Sequence, residues 1–379
     1  MKHISYTSTH TYPSGGSSGG NDFRFYEKEA DEKFKRGLWS EAESIYNTAL
    51  GLATSDKGIG PQSMHCSRLL QKLSNVYLRQ SNLQNALEAL NESISLIEVS
   101  SEAPKLTQHL LSLLYDKGNI LVLCNRNNEA LQVCQLSISI LQRHSEFAQD
   151  FALQGLIYSR IGKIHQCEDN RELAVEAFEK AIHLKKLGRD KYPKQSIFSD
   201  VLTLANLYES ANNVHQAIST FLECISISEK ENSFPIFIPT SLLHLQLGKL
   251  YIKAEKMDLC KRHLKESVKI ELLQKESSSP LFNLCTLLKA LEILSLVYDQ
   301  CDEFEDAIQC IQQILQLLES EKTIAASVSS NVADIWIKLG TLHSKLGKQE
   351  EASAAFRRAR SSAPLKISYQ YKQMGASAA

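Results

Sequence analysis

The stretch WIKLGTLHSKLGKQEEASAAFRRARSSAP, residues 336–364, carries the pattern that decides the fold. Its small residues Gly340, Ala352 and Ala359 are separated by 12 and then 7 residues, with bulky side chains such as Phe356 between them. Two antiparallel helices that cross closely need a groove on each for the ridge of the other, and a small side chain leaves that groove open. The spacing therefore predicts a tight helix pair joined by a short turn at Gly347.

The same spacing recurs along the chain. An anchor residue, small in every case, returns at steps of 43 to 47 residues: Ala42, Ala86, Ala130, Ala174, Ala217, Cys260, Ala307 and Ala352. Twelve residues before each anchor stands a second small residue: Ala30, Ser74, Gly118, Gly162, Ala205, Gly248, Ser295 and Gly340. A third small residue follows each anchor by seven residues, except that Ile314 breaks this row. The repetition predicts an all-α fold of about eight helix pairs over residues 23–364.

This pattern resembles the tetratricopeptide repeat. The family signature is nearly intact in the last unit as Trp336, Leu339, Gly340, Ala352, Phe356, Ala359 and Pro364, with His343 in the tyrosine position. Glu29 and Lys117 occupy the usual leucine position, so the first and third units are the least regular. The resemblance implies an α-solenoid whose antiparallel helix pairs coil into a right-handed superhelix with a concave inner face.

The repeat is longer than the standard 34 residues of that family. The additional residues lie mostly between units, as in 227–237 and 271–280, and indicate longer helices and longer loops. This is similar to kinesin light chains and related adaptors rather than to short-repeat chaperone adaptors. Within the units, turn-forming residues mark the connection between paired helices: Gly37, Asn82, Asn127, Asn170, Asn212, Asn213 and Gly347.

Composition and charge narrow the class of protein further. The 379 residues are 43% hydrophobic and carry a formal net charge of −1, so no overall field favours nucleic acid or an anionic membrane. Nine cysteines without a C-x-x-C spacing are expected to be buried thiols in a reducing compartment. Residues 1–22, rich in Gly and Ser, and residues 365–379 are expected to be flexible tails. No stretch has the apolar length of a signal-peptide core or a spanning helix, which predicts a cytoplasmic or nuclear protein without membrane insertion.

Motifs for catalysis or cofactor binding do not occur in the sequence. It has no Gly-rich phosphate loop, no H-E-x-x-H and no G-x-S-x-G, and its eleven histidines are scattered. His165 and His343 replace a core aromatic residue, which favours a packing role. We therefore expect no catalytic residue, no cofactor, no metal and no enzyme activity. Nucleic acid is not an expected partner, because the aromatic residues follow the packing seam instead of interleaving with basic ones.

The candidate binding residues follow from the family resemblance, in which the first helix of each pair lines the inner groove. The position directly after the small residue is expected to be exposed there, and it holds Asn75, Asn119 and Asn206. Because asparagine both donates and accepts hydrogen bonds, such a row could hold the backbone of an extended peptide. Kinesin-light-chain-like arrays use a similar ladder. An ordinary solvated helix face is the alternative explanation.

Basic residues surround this row at about one helical turn. They are Arg68, Lys72, Arg79, Arg160, Lys163, Lys249 and Lys253. They predict a locally positive groove on a nearly neutral molecule, and hence an acidic, extended segment of a protein partner. Lysine-rich solvent-facing helices explain the same residues equally well.

Three functions are compatible with this sequence. The first is a non-catalytic adaptor that binds a partner segment in its groove. The second is an obligate structural subunit of a larger assembly, which an apolar outer face would favour. The third is a regulator that wraps and inhibits an enzyme, as bacterial aspartate-phosphatase-type sensors of similar length do. A polar and basic inner face favours the adaptor.

Overall fold

The computed structural model describes residues 23–55, 64–98, 104–144, 147, 149–188, 194–229, 239–320 and 332–362. Every regular element within these ranges is an α-helix, and none of the helices is both long enough and apolar enough to cross a membrane. The chain divides between residues 192 and 193 into two compact units, each with eight of the described helices. The tails predicted at 1–22 and 365–379 lie outside the described residues.

The helices of the N-terminal unit are α1 (Phe23–Lys35), α2 (Trp39–Ser55), α3 (Met64–Arg79), α4 (Leu83–Glu98), α5 (Pro104–Leu123), α6 (Asn127–Arg143), α7 (Phe151–Cys167) and α8 (Arg171–Leu187). Those of the C-terminal unit are α9 (Lys194–Ser210), α10 (Val214–Glu229), α11 (Thr240–Lys253), α12 (Met257–Glu276), α13 (Leu284–Gln300), α14 (Phe304–Ser320), α15 (Val332–Lys345) and α16 (Gln349–Ser362). Each odd-numbered helix packs against the next helix in the chain, and these pairs stack within each unit. The predicted α-solenoid of about eight antiparallel pairs is confirmed, including the irregular first and third pairs.

The small residues lie where the paired helices cross, as their spacing predicted. All eight anchor residues are buried. A Cβ added to Gly162 would lie 2.9 Å from the ring of Phe178, and one added to Gly248 would lie 2.6 Å from Leu264 Cδ2. At these places a larger side chain would have to push the two axes apart. Phe356, which faces Gly340, differs from Phe178 because 41% of it remains exposed.

The turn inside every pair has the same backbone conformation. The residue five before the anchor has a positive φ between 55° and 78° in all eight turns: Gly37, Ser81, Asn125, Asp169, Asn212, Glu255, Asp302 and Gly347. The next residue donates its N–H to the carbonyl oxygen five residues earlier, at 2.8–3.0 Å. This bond is the 6→1 hydrogen bond that closes a helix with a left-handed residue. Asn127 was expected to mark a turn but begins α6, and Asn125 adopts the left-handed conformation instead.

The cysteines are all free thiols, and five of the nine are buried: Cys66, Cys134, Cys224, Cys260 and Cys310. Cys224 and Cys260 stand in the rows of small residues between the helices of a pair. Burial raises the pKa of the Cys224 thiol to about 12, so this thiol stays protonated at neutral pH. These two side chains therefore act as small apolar residues.

Candidate functional site

The first helices of the N-terminal unit expose polar side chains at the predicted position. Asn75 on α3, Asn119 on α5 and Lys163 on α7 each directly follow the small residue of the helix crossing, and all three are exposed. Side-chain hydrogen bonds connect α3 with α5 and α5 with α7, so these helices are neighbours on one side of the unit. Together with Arg68 and Arg79 on α3, these residues form what we call the basic face.

Helix α3 contributes most of the basic face. Arg68, Asn75 and Arg79 are separated by seven and then four residues, which places them on one side of the helix. All three are exposed, and none has an ion pair or side-chain hydrogen bond among the described residues. The effect of Arg68 is visible at the buried neighbour His109, whose pKa is lowered first by burial and then by the positive charge of Arg68. The face thus presents cations that no carboxylate of the described chain neutralises.

Lys72, which was predicted to be a partner-binding cation, does not belong to this group of unpaired cations. Its Nζ donates hydrogen bonds to Glu27 Oε1 at 2.7 Å and to Asp31 Oδ2 at 2.8 Å, both on α1. Burial alone would lower the pKa of Lys72, but the hydrogen bonds to Asp31 and Glu27 outweigh it and raise the pKa. Tyr46 donates a further hydrogen bond to Asp31. Lys72 therefore joins two first helices and is engaged before any partner arrives.

Arg160 was also expected to be displayed, and this expectation is wrong because only 5% of the residue is exposed. Its Nη2 donates to Asn119 Oδ1 at 2.5 Å, and its guanidinium lies 3.9 Å from the ring centroid of Tyr115. A Cβ on Gly118 would be 2.6 Å from Arg160 Nη1, so the missing side chain of Gly118 makes the room for the guanidinium. Burial lowers the pKa of Arg160. Arg160 is a packing residue between α5 and α7.

Lys72 and Arg160 occupy equivalent places in the repeat. Each stands 14 residues before the anchor of its own unit. Its hydrogen-bond acceptor stands 11 residues before the anchor of the preceding unit. Donor and acceptor are therefore 41 residues apart in both pairs. In the C-terminal unit Lys338 on α15, also 14 before its anchor, bonds to Glu292 on α13 at 3.1 Å. In these three units the position holds a cation that bonds to the preceding first helix, whereas other units have Asp116, Thr203, Gln246 or Ile293 there. The spacing of small residues alone did not predict that these cations bond to the neighbouring unit. The 41-residue separation that Lys72–Asp31 shares with Arg160–Asn119 is a sequence pattern that could have predicted it.

The remaining predicted residues belong to the C-terminal unit. Asn206 on α9 and Lys253 on α11 are exposed, whereas Lys249 is half-buried and burial lowers its pKa. The predicted ladder of three asparagines is therefore divided, with Asn75 and Asn119 in one unit and Asn206 in the other. On α13 the position directly after the small residue holds Leu296, which is 45% exposed, and on α15 it holds the exposed Thr341. The predicted row of polar side chains is therefore interrupted at α13.

Among the described residues, no group of three or more His, Cys, Asp or Glu side chains could hold a metal ion. Two histidines do meet in the C-terminal unit, where His244 Nδ1 lies 2.9 Å from His263 Nδ1. The pKa of His244 is lowered to about 4, mainly by burial and then by His263. In a neutral pair of this kind one Nδ1–H donates to the other Nδ1, and this single hydrogen bond connects helices α11 and α12.

Two segments of the chain, residues 202–231 and 333–364, match the profile of the family described as Tetratricopeptide repeat. A kinesin light chain-related protein of Arabidopsis thaliana is 21% identical over 236 residues, which make up 60% of this chain and 35% of that protein. The chain thus spans about a third of the length of this relative.

Solved structures are similar in fold. The C-terminal part of a tetratricopeptide-repeat protein from Cytophaga hutchinsonii has a TM-score of 0.54 and 16% identity, covering 81% of this chain and 100% of that one. A signal-transduction ATPase with a tetratricopeptide-repeat sensor from Pyrococcus horikoshii has a TM-score of 0.50 and 11% identity, covering 93% of this chain and 49% of that one. At such identities these structures show the fold alone.

Proposed function

Because this chain is a tetratricopeptide-repeat protein, we propose that it is a non-catalytic adaptor whose first helices bind an extended, acidic segment of a partner protein. The observation that carries this proposal is the basic face of the N-terminal unit. Arg68, Arg79 and Lys163 are exposed there without a carboxylate partner in the described chain, next to the exposed amides of Asn75 and Asn119. Its setting in the cell is proposed to be the cytoplasm or the nucleus.

The two kinds of side chain on the basic face have separate tasks in this proposal. The cations attract an acidic segment and speed its association, an effect that salt weakens. The asparagine amides bond to the backbone of the segment and therefore tolerate different partner sequences. Arg160 holds Asn119 Oδ1, so the N–H groups of the Asn119 amide are the ones that remain to donate to a partner carbonyl. Arg160 and Lys72 thus position the face without contacting the partner.

A photo-crosslinking amino acid at residue 75 tests which surface contacts the partner. The expected result is capture of a partner through an acidic segment, whereas the same crosslinker at Leu136, exposed on the second helix α6, captures nothing there. A peptide of the captured segment then serves as the probe. Replacing Asn75 by Ala should weaken its binding by roughly 2- to 13-fold, from about 0.5–1.5 kcal/mol for one hydrogen bond. This change leaves the bond between Arg160 and Asn119 intact.

Charge reversal tests whether peptide binding depends on the cations of the basic face or on the overall charge of the protein. Arg68→Glu with Lys163→Glu should slow association of the peptide and flatten its salt dependence. Arg357→Glu is the control, because this exposed arginine lies on the second helix α16. Equal effects of the two changes, or crosslinks only from residue 136, would remove the binding site from the basic face.

The structural-subunit function has one observation in its favour. Several second helices expose leucines, namely Leu136, Leu173, Leu187, Leu222 and Leu273. Scattered apolar residues are normal on protein surfaces, and a contiguous patch is what indicates an interface. If the protein is an obligate subunit, it should elute from cells only in a stable complex that high salt does not dissociate, whereas the adaptor should release its partner as salt rises.

A further inference from the structure

The last turn of α16 combines exposed serines with a run of arginines. The stretch RRARSS, residues 357–362, holds three of the thirteen arginines of the chain. Ser361 is the only serine or threonine in the sequence that has an arginine three positions before it. Every side chain of the stretch except Ala359 is exposed. This concentration of cations next to an exposed hydroxyl distinguishes Ser361 from the other serines of the chain.

No carboxylate forms an ion pair with these arginines in the part of the chain that the structure describes. Arg357 donates to the backbone oxygen of Ser353 at 3.3 Å, and the guanidinium of Arg358 lies 4.8 Å from the ring centroid of Trp336. The two carboxylates of α16 itself stand in its first turn, at the other end of the helix. The three positive charges are therefore available to an acidic recognition site.

The hydroxyl of Ser361 can be presented to an enzyme without unfolding the core. Ser361 Oγ donates to the backbone oxygen of Arg358 at 2.9 Å, which is a bond within the last turn. Ala359 is the last buried residue of α16, so the opening of residues 360–362 uncovers no buried side chain. The carbonyl groups at a helix end lack intrahelical partners, and such ends open at little cost in free energy. The segment can therefore adopt the extended conformation that an active-site cleft accepts.

We propose that Ser361 is a phosphorylation site for a protein kinase with an acidic peptide groove, and that ATP is the phosphoryl donor. The Ser361 oxygen attacks the γ-phosphorus of ATP and forms the new O–P bond. The bond between the γ-phosphorus and the oxygen that bridges it to the β-phosphorus breaks, and ADP leaves. The hydroxyl proton passes to the catalytic carboxylate of the kinase. Carboxylates in the groove of the kinase pair with Arg358 and Arg360 and select this serine.

Phosphorylation of Ser361 changes the charge and the contacts of this end of α16. A phosphate adds roughly −1.5 to −2 charges at neutral pH, so the three arginines are largely neutralised. Arg357 and Arg358 stand four and three residues before Ser361, on the same side of the helix, where they can pair with the phosphate. Pairing of Arg358 with the phosphate competes with its contact with Trp336. The modification therefore also acts on the packing of α16 against α15.

The test treats the full-length protein with ATP, Mg²⁺ and a calmodulin-dependent protein kinase of the class that selects an arginine three residues before the serine. Mass spectrometry of peptides measures the initial rate of phosphorylation at each serine, and phosphate should appear on Ser361. Ser55 is the matched control in the same protein, because it is the exposed last residue of α2 and its Oγ donates to the backbone oxygen of Gly51. Helix α2 carries no arginine or lysine, so Ser55 should stay unmodified over the same time.

A variant separates recognition of the arginine from access to the serine. Arg358→Gln should lower the initial rate at Ser361 about tenfold or more, whereas a looser last turn without the contact to Trp336 would by itself raise it. Arg143→Gln removes an exposed arginine from the last turn of α6 and should leave the rate unchanged. The proposal is overturned if Ser361 is not modified, if only the neighbouring serine is, or if Ser55 is modified equally fast. It is also overturned if Arg358→Gln leaves the rate unchanged or raises it.

Discussion

At the scale of single residues, the effect of a glycine depends on what stands opposite it. Gly162 faces the ring of Phe178, which is fully buried and has no room to move. Gly340 faces Phe356 at a similar distance, but that ring is partly exposed and can shift. Gly51 lies within α2 and would present its Cβ to open space. Substitutions at these three positions therefore distinguish the effect of helix propensity on stability from the effect of close packing.

We expect three different results from glycine-to-alanine changes in urea unfolding. Gly162→Ala should lower the free energy of unfolding by about 1–3 kcal/mol, because the methyl group overpacks the crossing with Phe178. Gly340→Ala should change it by less than about 1 kcal/mol, since Phe356 can move. Gly51→Ala should raise it by roughly 0.5–1 kcal/mol through helix propensity. Similar stabilisation by all three changes would contradict close packing at Gly162.

The histidine pair between α11 and α12 predicts a pH dependence of stability. The pKa of His244 is lowered to about 4 by burial and by His263, while Glu266 opposes the shift. The pKa of His263 is lowered too, by burial and by Arg262. The pKa of a histidine in an unfolded chain is about 6.5. Between this pH and the lower pKa of the folded state, the unfolded chain binds a proton that the folded chain does not. The contribution of this histidine pair to the free energy of unfolding is fully present above this pH range and is lost as the pH falls through it.

The size of this loss can be measured against a variant that does not titrate. Between pH 7 and pH 4 the His244 contribution should reduce the free energy of unfolding by at most about 3 kcal/mol. In His244→Asn an amide replaces Nδ1 and keeps a hydrogen-bonding group near His263, so this variant should lose correspondingly less stability over the same range. An identical pH profile for both proteins would show that His244 does not control it.

At the scale of elements, the left-handed turn residue closes the first helix of each pair. Glycine adopts a positive φ without steric cost, but six of the eight turns place another residue there. Glu255 is the least suited of these, because a long side chain gains nothing from the left-handed conformation. The folded pair imposes the turn on Glu255 through the contacts of α11 and α12.

Exchange of residues in these turns should change stability in opposite directions. Glu255→Gly should raise the free energy of unfolding by about 1 kcal/mol, and Gly347→Ala should lower it by a similar amount, through the cost of a positive φ. No atom lies within 4 Å of a Cβ at Gly347, so packing does not contribute there. Glu255→Ala keeps the unfavourable conformation and is the control, expected to bring no gain. Thermal unfolding of the four proteins measures this.

The stacking of neighbouring pairs rests on the first helices. Arg160→Ala should cost about 1.5–3 kcal/mol, because it removes the charged hydrogen bond to Asn119 and the cation–π contact with Tyr115 that hold α7 against α5. Lys163→Ala, three residues along the same helix and exposed, should change stability by less than about 0.5 kcal/mol. If the two variants are equally stable, Arg160 does not hold the helices together.

At the scale of the whole molecule, contacts connect each helix mainly to its immediate neighbours in the chain. Repeat proteins of this kind have stabilities that are close to a sum over units and their interfaces. A local defect should therefore spread only to adjacent pairs. The two compact units make this expectation testable, because α7 and α8 belong to one unit and α11 to α16 belong to the other.

Hydrogen exchange should show the limited spread of such a defect. Gly162→Leu should speed amide exchange in α7 and α8, and to a smaller extent in α5 and α6, because the leucine overpacks the crossing with Phe178. Exchange in α11 to α16 should be the same as in the unaltered protein. Uniformly faster exchange along the chain would mean that the molecule unfolds as one cooperative body.

The sequence by itself determined the helix pairs, their number and the residues at each crossing. The spacing of small residues is a one-dimensional property, and a close crossing of two helices joined by a short turn is a local consequence of it. It also placed Asn75, Asn119, Arg68, Arg79 and Lys163 on exposed positions of the first helices. The order of residues along the chain was sufficient for all of this.

Only the tertiary structure decided which of the predicted cations are free. Lys72 meets Asp31, and Arg160 enters the space beside Gly118, because these residues face each other across the stack although they are about 40 positions apart. The left-handed turn at Glu255 was equally invisible, since the packing of the pair selects it against residue preference. Periodicity places a side chain on one side of a helix, and the partner it meets there depends on how the neighbouring pair is packed.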